Sequence, residues 1–554
     1  MWRGQRTRTV VIGVAFAAFF VSCVLPIVYL LVTTLTVGSD AYGLLGLDSR
    51  QRGLLYNTAL LGIGTALLAT AIGAPLGAAL ARVPLRWKAA IRVIAAVPIL
   101  LPPYVVALAW IYLGSSRGLL AAVTGRDLFS EWTYSLPAAI VILSLVLYPL
   151  SMLATEVAIR RIDGRLEEAA LIVAPPRRVL WRITLRLVAP TILAAALIIF
   201  VLALSEFGVP GLLRVRVYTT EVFTAFAALY DFSRAIALAV PLLMLSVAVA
   251  ATAAILLGDR LITARRSMGV SPVVFETWRR PAGIAVLIVV TTAGALPLVI
   301  LGHEALGARS LTDVIAGSAN AIVRSLVLSA VGATVVVALS VWLGYAQARA
   351  RRAFRLAAQA LLVVLFAVPS TIVGVGLIGV WNRSGPAGAL YGTDIMFLLA
   401  YLARFAPVAT VILTATAQTI SVAQEEAAAV SGAGWLRTIR GIILPQMRFG
   451  IAAAWVVAFV LAFGELGVSV LVAPPGDSTL PIRVYTIIAN TPALHVAALA
   501  LLQALVIFAP VAALGAAASV RPSTRTQGVP TLRQAQGRSE RSRGTSGAEG
   551  REAK

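Results

Sequence analysis

Two acidic side chains occur where an apolar sequence has little reason to place them. Glu206 and Glu465 fall at matching places late in two long hydrophobic runs, and Arg404 lies inside a third. A carboxylate within a bilayer costs roughly 2.5–3.5 kcal/mol on insertion scales, so such residues need an explanation. Two carboxylates that flank a pathway would attract a cation. Alternatively, each carboxylate bonds to backbone or water at a helix end near the membrane surface, and Arg404 has a packing or interfacial role.

Other reactive residue types are too few to build a catalytic or metal centre. The two histidines, His303 and His495, are far apart in the chain, and Cys23 is its one cysteine. A phosphate-binding loop needs lysine in G-x-x-x-x-G-K-[ST], but neither Lys88 nor Lys554 follows glycine or precedes serine or threonine. The sequence therefore excludes a conventional P-loop ATPase, disfavours an enzyme, and predicts neither a metal nor a cofactor on this chain.

The composition restricts the chain to one broad class. Its 554 residues are 60% hydrophobic and 12% charged, and the mean hydropathy is +0.92. A water-soluble protein of this length needs more charge to cover its surface, so the chain is predicted to be an all-α polytopic membrane protein. The net charge of +23 fits basic cytoplasmic loops, and no nucleic-acid partner is expected.

Twelve apolar runs are long enough to cross a bilayer, which takes roughly 20 helical residues. They start near Val10, Leu54, Ile91, Ser135, Val188, Ala235, Pro281, Ala321, Ala357, Ile395, Met447 and Ala493. The first run is too long for a typical signal peptide, so it is predicted to be a retained span. Pro102 and Pro369 are expected to kink or break the third and ninth spans.

The chain matches itself at an offset of about 267 residues, which indicates two similar halves. Gly77 falls on Gly344 and Pro102 on Pro369, and at a slightly shorter offset Glu167 falls on Glu425. Because each half has six spans, the two halves share one orientation and form parallel repeats. A pathway between the halves is expected.

The repeat and the distribution of charge predict the following organisation. The first transmembrane half covers 1–257 with a long loop at 156–190, and the second covers 281–518 with a long loop at 418–446. Residues 258–280 are predicted to be a cytoplasmic linker, and 519–554 a disordered basic cytoplasmic tail. Most lysines and arginines lie on the same side as the N-terminus, so the positive-inside rule places both termini in the cytoplasm.

The long cytoplasmic loops of the two halves repeat one pattern. Each begins with two carboxylates and two alanines and continues through a short helical piece and a small-residue break to an apolar face. The apolar faces are Leu180, Ile183 and Leu187 in the first loop and Leu436, Ile439 and Ile443 in the second; Arg178, Arg182 and Arg186 form a basic stripe beside the first. The repetition favours docking of two copies of one soluble partner over lipid anchoring, with ordinary amphipathic connectors as the remaining alternative.

These loops resemble the EAA loops of ABC-transporter importer permeases. In the second loop Glu426, Ala427, Ala428, Gly432, Leu444 and Pro445 occupy the family's characteristic places. The first loop has Ala174 where the motif has glycine, has Arg186 where it has proline, and is one residue shorter. The resemblance implies that both loops dock on a cytoplasmic ATPase and transmit its movement; the departures of the first loop leave the tightness of its coupling open. The implied coupling residues are Glu167, Glu168, Ala169, Ala170, Ala174, Glu425, Glu426, Ala427, Ala428, Gly432, Leu444 and Pro445.

Other stretches resemble ferric-iron importer permeases of the fused type, in which both halves lie on one chain. They include SEFGVPGLL at 205–213, YLARFAPV at 401–408 and GELGVSVLV at 464–472. The resemblance implies a permease of the prokaryotic inner membrane that works by alternating access. It implies two copies of an ABC ATPase that carries ATP and Mg²⁺, an extracytoplasmic solute-binding protein, and membrane lipid as partners. Thiamine, polyamine, phosphonate and molybdate or sulfate permeases share the pattern, and a secondary transporter with parallel repeats is the alternative of another class.

Overall fold

The described part of the chain is built from helices. The computed structural model describes residues 2–36, 49–116, 118–127, 129–257, 275–306, 311–488 and 490–519, and these contain no strand. Most of the predicted linker, 258–274, and the predicted tail from 520 onward lie outside the described residues. The chain divides into two compact units, Met1–Ala509 and Pro510–Lys554. The first unit contains nearly all of both predicted halves; of the second, residues 510–519 are described, and they are helical.

Among the described residues, eleven helices are long and apolar enough to cross a membrane, and a bent helix pair brings the number to twelve. In the first half they are Arg6–Thr34, Ser49–Arg82, Pro103–Gly114 with Leu119–Thr124, Leu136–Arg160, Pro176–Ser205 and Phe232–Ala253. Those of the second half are Glu276–Leu306, Ala319–Ala348, the pair Arg352–Ala367 with Ser370–Trp381, Ile395–Gln418, Trp435–Phe463 and Ala493–Ala516. Numbered one to twelve in chain order, they confirm the predicted all-α polytopic class.

The third and ninth spans are broken at their prolines, as predicted. In the ninth span the two helices meet at 94°, and Pro369 is the N-cap of the second helix. In the third span Lys88–Ala96 leads into a 3₁₀ turn, and a new helix begins at Pro103 with Pro102 as its N-cap. The predicted start near Ile91 lies in the first of these helices, which ends before Pro102, because proline lacks the N–H that would continue the helix.

The first span of each half packs against the other half. Helices of the first span contact the eighth, ninth and tenth spans, and helices of the seventh span contact the third. The Cys23 thiol lies 3.4 Å from the carbonyl oxygen of Leu402, and Arg383 lies over the ring of Tyr29 at 5.0 Å. Gly379 permits this approach, because a Cβ there would overlap the Tyr29 ring.

Glycine also sets the distance between the second and fourth spans. A Cβ at Gly77 would overlap the carbonyl oxygen of Met152, and one at Gly73 would lie 2.9 Å from the Met152 nitrogen. These neighbours are backbone atoms, which cannot move aside as a side chain can. The two spans therefore approach closely only with glycine at these positions.

We expect Gly77→Ala to lower the free energy of unfolding by about 1–3 kcal/mol, because the added methyl group would force two packed backbones apart. Titration of the purified protein with SDS, followed by circular dichroism, measures this change. Gly53→Ala is the matched control in the same helix, since a Cβ at Gly53 has no heavy atom within 4 Å. Equal stability of the two variants would contradict the proposed role of Gly77.

Four π-helical turns occur in the described helices, at two pairs of matching places. Phe20–Val24 and Thr291–Ala295 interrupt the first and seventh spans, and Leu180–Thr184 and Ile439–Ile443 interrupt the fifth and eleventh. In three of them a proline follows two residues later, and the wider turn relieves the clash of its ring with the preceding carbonyl. The fifth span has Arg186 at that place and keeps the π turn.

Candidate docking loops and the interface between the halves

Each long loop contains a short helix at the place of its two carboxylates. The first loop helix is Gly164–Val173, and the Asp163 side chain accepts a hydrogen bond from the Arg165 nitrogen at its start. The second loop helix is Val422–Val430, and the Ser421 hydroxyl accepts one from the Ala423 nitrogen. Short polar side chains at these positions satisfy backbone N–H groups that have no partner within the helix. The two loops therefore begin in the same way.

The first carboxylate of the first loop points into the protein. Glu167 is buried, its Oε2 lies 2.7 Å from Arg82 Nη2, and its Oε1 accepts a hydrogen bond of 2.6 Å from the Thr184 hydroxyl. Arg82 is the last residue of the second span and also donates to the carbonyl oxygen of Ile159, at the end of the fourth span. We call Arg82, Glu167 and Thr184 the first joint.

The second loop also pairs its first carboxylate with an arginine at the matching place, but the hydroxyl partner comes from a different span. Glu425 Oε1 accepts a hydrogen bond of 2.6 Å from Arg349 Nε, and its Oε2 accepts one of 2.7 Å from the Tyr345 hydroxyl. Arg349 also donates to the carbonyl oxygens of Ala417 and Ile420, at the end of the tenth span. We call Arg349, Glu425 and Tyr345 the second joint.

The sequence interpretation did not identify the two arginines. Arg82 and Arg349 are separated by the repeat offset, as their glutamates nearly are, so the repeat contained a usable signal. It was missed because an arginine at the end of a span is ordinary in a membrane protein. Only the approach of the loop helix gives Arg82 a carboxylate partner, Glu167, which is 85 residues away in the sequence.

The opposite side of each loop helix faces outward. Glu168, Ala169, Glu426 and Ala427 are exposed, whereas Ala170 is half-buried and Ala428 is buried. At the matching C-terminal ends, Ile172 is 85% exposed and Val430 is 90% exposed. Large apolar side chains this exposed, beside an acidic residue, favour an interaction surface over a solvated connector.

The breaks that follow the loop helices differ in backbone conformation. Gly432 has a φ of +81°, in the left-handed region, and a Cβ there would meet no atom within 4 Å. Ala174, in the first loop, is extended with a φ of −147° and precedes Pro175 and Pro176. The replacement of glycine by alanine in the first loop is therefore compatible with its structure, because that loop turns without a left-handed residue.

The predicted apolar faces beyond the breaks are partly buried in the structure. Leu180, Ile439 and Ile443 are buried, whereas Leu187 is 50% exposed and Leu436 is 38% exposed. The π turns explain the difference at Leu187, since the extra residue rotates everything after it relative to a regular α-helix. Leu444 is half-buried and Pro445 is exposed just after the second π turn; the predicted basic stripe of Arg178, Arg182 and Arg186 is exposed.

An ionic cluster holds the first half together next to the first joint. Glu156 is buried and lies 2.7 Å from both Arg92 and Arg160. The cluster connects the helix Lys88–Ala96 to the fourth span without involving a loop helix.

The two acidic residues predicted within the membrane each cap a short helical turn. Glu206 Oε1 accepts hydrogen bonds from the nitrogens of Gly208 at 2.9 Å and Val209 at 3.3 Å. Glu465 Oε1 accepts one from the Val468 nitrogen at 3.0 Å. Glu206 directly follows the helix that ends at Ser205, and Glu465 lies two residues after the helix that ends at Phe463; both are half-buried. The second oxygen of each carboxylate has no hydrogen bond among the described residues.

These two turns meet at the contact between the halves. A Cβ at Gly208 would lie 3.4 Å from the side chain of Leu466, the neighbour of Glu465. Nearby, the Ser205 hydroxyl donates to the Ala367 carbonyl oxygen and the Ser370 hydroxyl donates to the Ser205 carbonyl oxygen, both at 3.3 Å. The structure thus brings Glu206 and Glu465 into one region between the halves.

Arg404 is fixed by backbone close to this region. Its Nη1 donates to the carbonyl oxygens of Val368, at 2.5 Å, and Phe366, and its guanidinium lies over the Phe366 ring. The side chain therefore holds the last turn of the helix that precedes the bend of the ninth span. Among the described residues, no group of three or more histidine, cysteine or acidic side chains is arranged to hold a metal ion.

Comparison with known proteins gives one family match in each half. Residues 73–264 and 336–520 match the family described as binding-protein-dependent transport system inner membrane component. The Fe(3+)-transport system permease protein FbpB 2 of Haemophilus influenzae is 24% identical over 471 residues, which cover 83% of this chain and 89% of that protein. The molybdenum transport system permease protein ModB of Mycobacterium tuberculosis is 29% identical over 171 residues, 30% of this chain and 63% of that protein.

Proposed function

Because this chain belongs to the family of binding-protein-dependent transport system inner membrane components, we propose that it is the permease of an ATP-driven importer for ferric iron. Membership of this family makes the chain an ABC importer permease and argues against the alternative of a secondary transporter. Its relatives are transport permease subunits rather than enzymes. The solute and the partners are the parts that we propose.

The observation that carries the choice of solute is the extent of the similarity. The similarity to the Fe(3+) permease extends over 83% of this chain and so includes both halves, whereas that to the molybdenum permease covers 30%. A fused pair of halves is thus common to this chain and the relative named for Fe(3+). Thiamine, polyamine, phosphonate and molybdate or sulfate are the alternative solutes within the same class.

Two copies of a cytoplasmic ABC ATPase are the proposed partners of the loop helices. Support comes from the repeated surface, since Glu168 with Ile172 and Glu426 with Val430 are exposed at matching places. An apolar side chain beside a carboxylate suits a cleft with a basic rim. ATP and Mg²⁺ would be bound by these partners, because the two lysines of this chain do not form a phosphate-binding loop.

An extracytoplasmic binding protein would deliver the solute to the region between the halves. There Glu206 and Glu465 would draw a cation inward, and alternating access would follow from the opening and closing of the two ATPases. Arg404 would support this region by holding the bend of the ninth span. The proposed location is the inner membrane of a prokaryote with both termini in the cytoplasm, supported by the family description and the positive-inside rule.

Affinity purification of this chain from its native membrane in mild detergent tests the proposal. We expect mass spectrometry to identify a Walker-motif ATPase at two copies per permease, together with a soluble protein that binds Fe(III). Recovery of an ATPase together with a soluble protein that binds another solute would support the importer class but contradict ferric iron as the solute. Absence of any ATPase, under conditions that preserve a control importer complex, would contradict the proposed coupling.

A further inference from the structure

The two joints lie behind the surfaces that would contact the ATPases. Glu167 and Glu425 are the inward-facing carboxylates of the loop helices, next to the outward-facing Glu168 and Glu426. An ATPase docked on the exposed side would therefore not reach either joint. Their geometry concerns how the loop helices are attached to the membrane spans.

Each joint connects three separate segments. In the first joint Arg82 ends the second span, binds Glu167 of the first loop helix, and donates to Ile159 at the end of the fourth span. In the second joint Arg349 follows the eighth span and makes the same two kinds of contact, with Glu425 and with Ala417. Arg82 is held by an ion pair and a hydrogen bond to a carbonyl oxygen, and Arg349 by three hydrogen bonds. Such contacts fix an arginine more firmly than an apolar contact, which can slide.

The first joint also includes the helix on the far side of the loop. Thr184, which binds Glu167, belongs to the π turn at the start of the fifth span. In the second joint Tyr345 is the additional partner of Glu425, and its ring lies 6.4 Å from that of Trp435, where the eleventh span begins. Each loop helix is thus tied to the spans before and after it.

We propose that the two joints are the positioning elements that carry the movement of each docked loop helix into the membrane spans. This inference rests on the proposed function and adds to it the residues that act through the docking surface. Without a joint, a loop helix would still present its exposed side to the ATPase. The loop would then deform when its helix moves. The second and fourth spans, in the first half, or the eighth and tenth spans, in the second, would not be displaced.

The two joints are expected to differ in strength. The side chains of Arg82 and Glu167 are 3% and 1% exposed, whereas those of Arg349 and Glu425 are 10% and 18% exposed. Water weakens and screens the second ion pair more than the first. Loss of the first joint should therefore reduce coupling more than loss of the second.

The test separates docking from transmission by a reporter between the halves. The parent variant carries Cys23→Ser and Ser370→Cys, so that position 370 has the one thiol of the chain. The complex with its co-purified ATPase is placed in lipid nanodiscs, and labelling of the thiol at position 370 by a soluble maleimide is timed without nucleotide and after trapping with Mg-ATP and vanadate. We expect the parent labelling rate to change by at least about fivefold between the two states, the lower end of typical coupling between sites.

Glu167→Gln and Glu425→Gln are the joint variants. We expect both to retain the ATPase and to hydrolyse ATP, while the nucleotide-dependent change at position 370 falls to less than about twofold, most completely in Glu167→Gln. Glu156→Gln is the matched control, since it removes a buried carboxylate paired with two arginines near the first joint but without a loop helix. Among Glu156→Gln complexes that assemble with the ATPase, the nucleotide-dependent change in labelling at position 370 should be as large as in the parent.

Milder variants cover the case in which a joint variant does not assemble. Thr184→Val and Tyr345→Phe each remove one hydrogen bond to a joint carboxylate and keep the shape of the side chain. We expect an intermediate change at position 370 for both. A full change in the joint variants or in both milder variants would overturn the proposal, as would the same loss in Glu156→Gln. A parent that binds no ATPase would instead contradict the proposed function.

Discussion

Gly432→Val is expected to abolish coupled transport. At Gly432 the chain adopts a φ of +81° directly after the second loop helix, a conformation that costs an ordinary L-residue roughly 1–2 kcal/mol and a β-branched residue more. Valine would shift this turn to negative φ and so move Val430 and Glu426 relative to the eleventh span. Co-purification of the ATPase, and solute uptake per ATP hydrolysed in proteoliposomes, measure the effect.

Two controls assign the effect of Gly432→Val to the backbone. Asparagine tolerates the left-handed region better than other residues, so Gly432→Asn should retain clearly more coupling than valine. Gly434→Val adds the same side chain two residues on, where φ is −69° and a Cβ would likewise meet no atom within 4 Å. Unchanged transport in Gly432→Val, or an equal loss in Gly434→Val, would show that the left-handed turn is not what matters.

The double variant Glu206→Gln with Glu465→Gln is expected to reduce ferric iron uptake by at least about tenfold, which corresponds to a loss of about 1.4 kcal/mol in cation binding. Glutamine keeps a carbonyl oxygen that can accept the hydrogen bonds from Gly208, Val209 and Val468. The substitution therefore removes two negative charges and leaves the capped turns in place. Uptake of radioactive iron into proteoliposomes that contain the complete complex measures the change.

The double variant should still bind the ATPase and hydrolyse ATP at the parent rate. Glu221→Gln is a suitable control, because this carboxylate pairs with Arg50 and not with the turns between the halves. Normal iron uptake in the double variant would leave Glu206 and Glu465 with a structural role as helix caps. Loss of ATPase binding would indicate a folding defect rather than a missing charge.

Hydropathy and the repeat were enough to predict the class of fold. The composition showed that lipid must cover much of the protein surface. The twelve apolar runs correspond to twelve spans when the bent pair counts as one. The prolines at 102 and 369 located the breaks of two spans, since the chemistry of proline acts locally. Gly77 and Gly344, which the repeat pairs, both lie at close contacts between helices.

Periodicity failed where the helix itself changes. The i, i+3, i+7 pattern assigned Leu180 and Leu187 to one face of a regular helix, but a π turn lies between them, and Leu180 is buried whereas Leu187 is exposed. A pattern based on 3.6 residues per turn contains no information about such a turn. Proline marks three of the four π turns, and at Arg186 even this local signal is missing.

The sequence by itself determined that the protein lies in a membrane, that it has two parallel halves and that its long loops are paired. These features depend on composition and on repetition along the chain. Only the tertiary structure decided that the first span of each half packs on the other half, since apolar helices in lipid are attracted by shape rather than by hydropathy. It also decided which carboxylates turn inward. Glu167 and Glu168 are neighbours of one type, and only the approach of Arg82 and Thr184 in three dimensions makes the first of them a joint while the second stays on the surface.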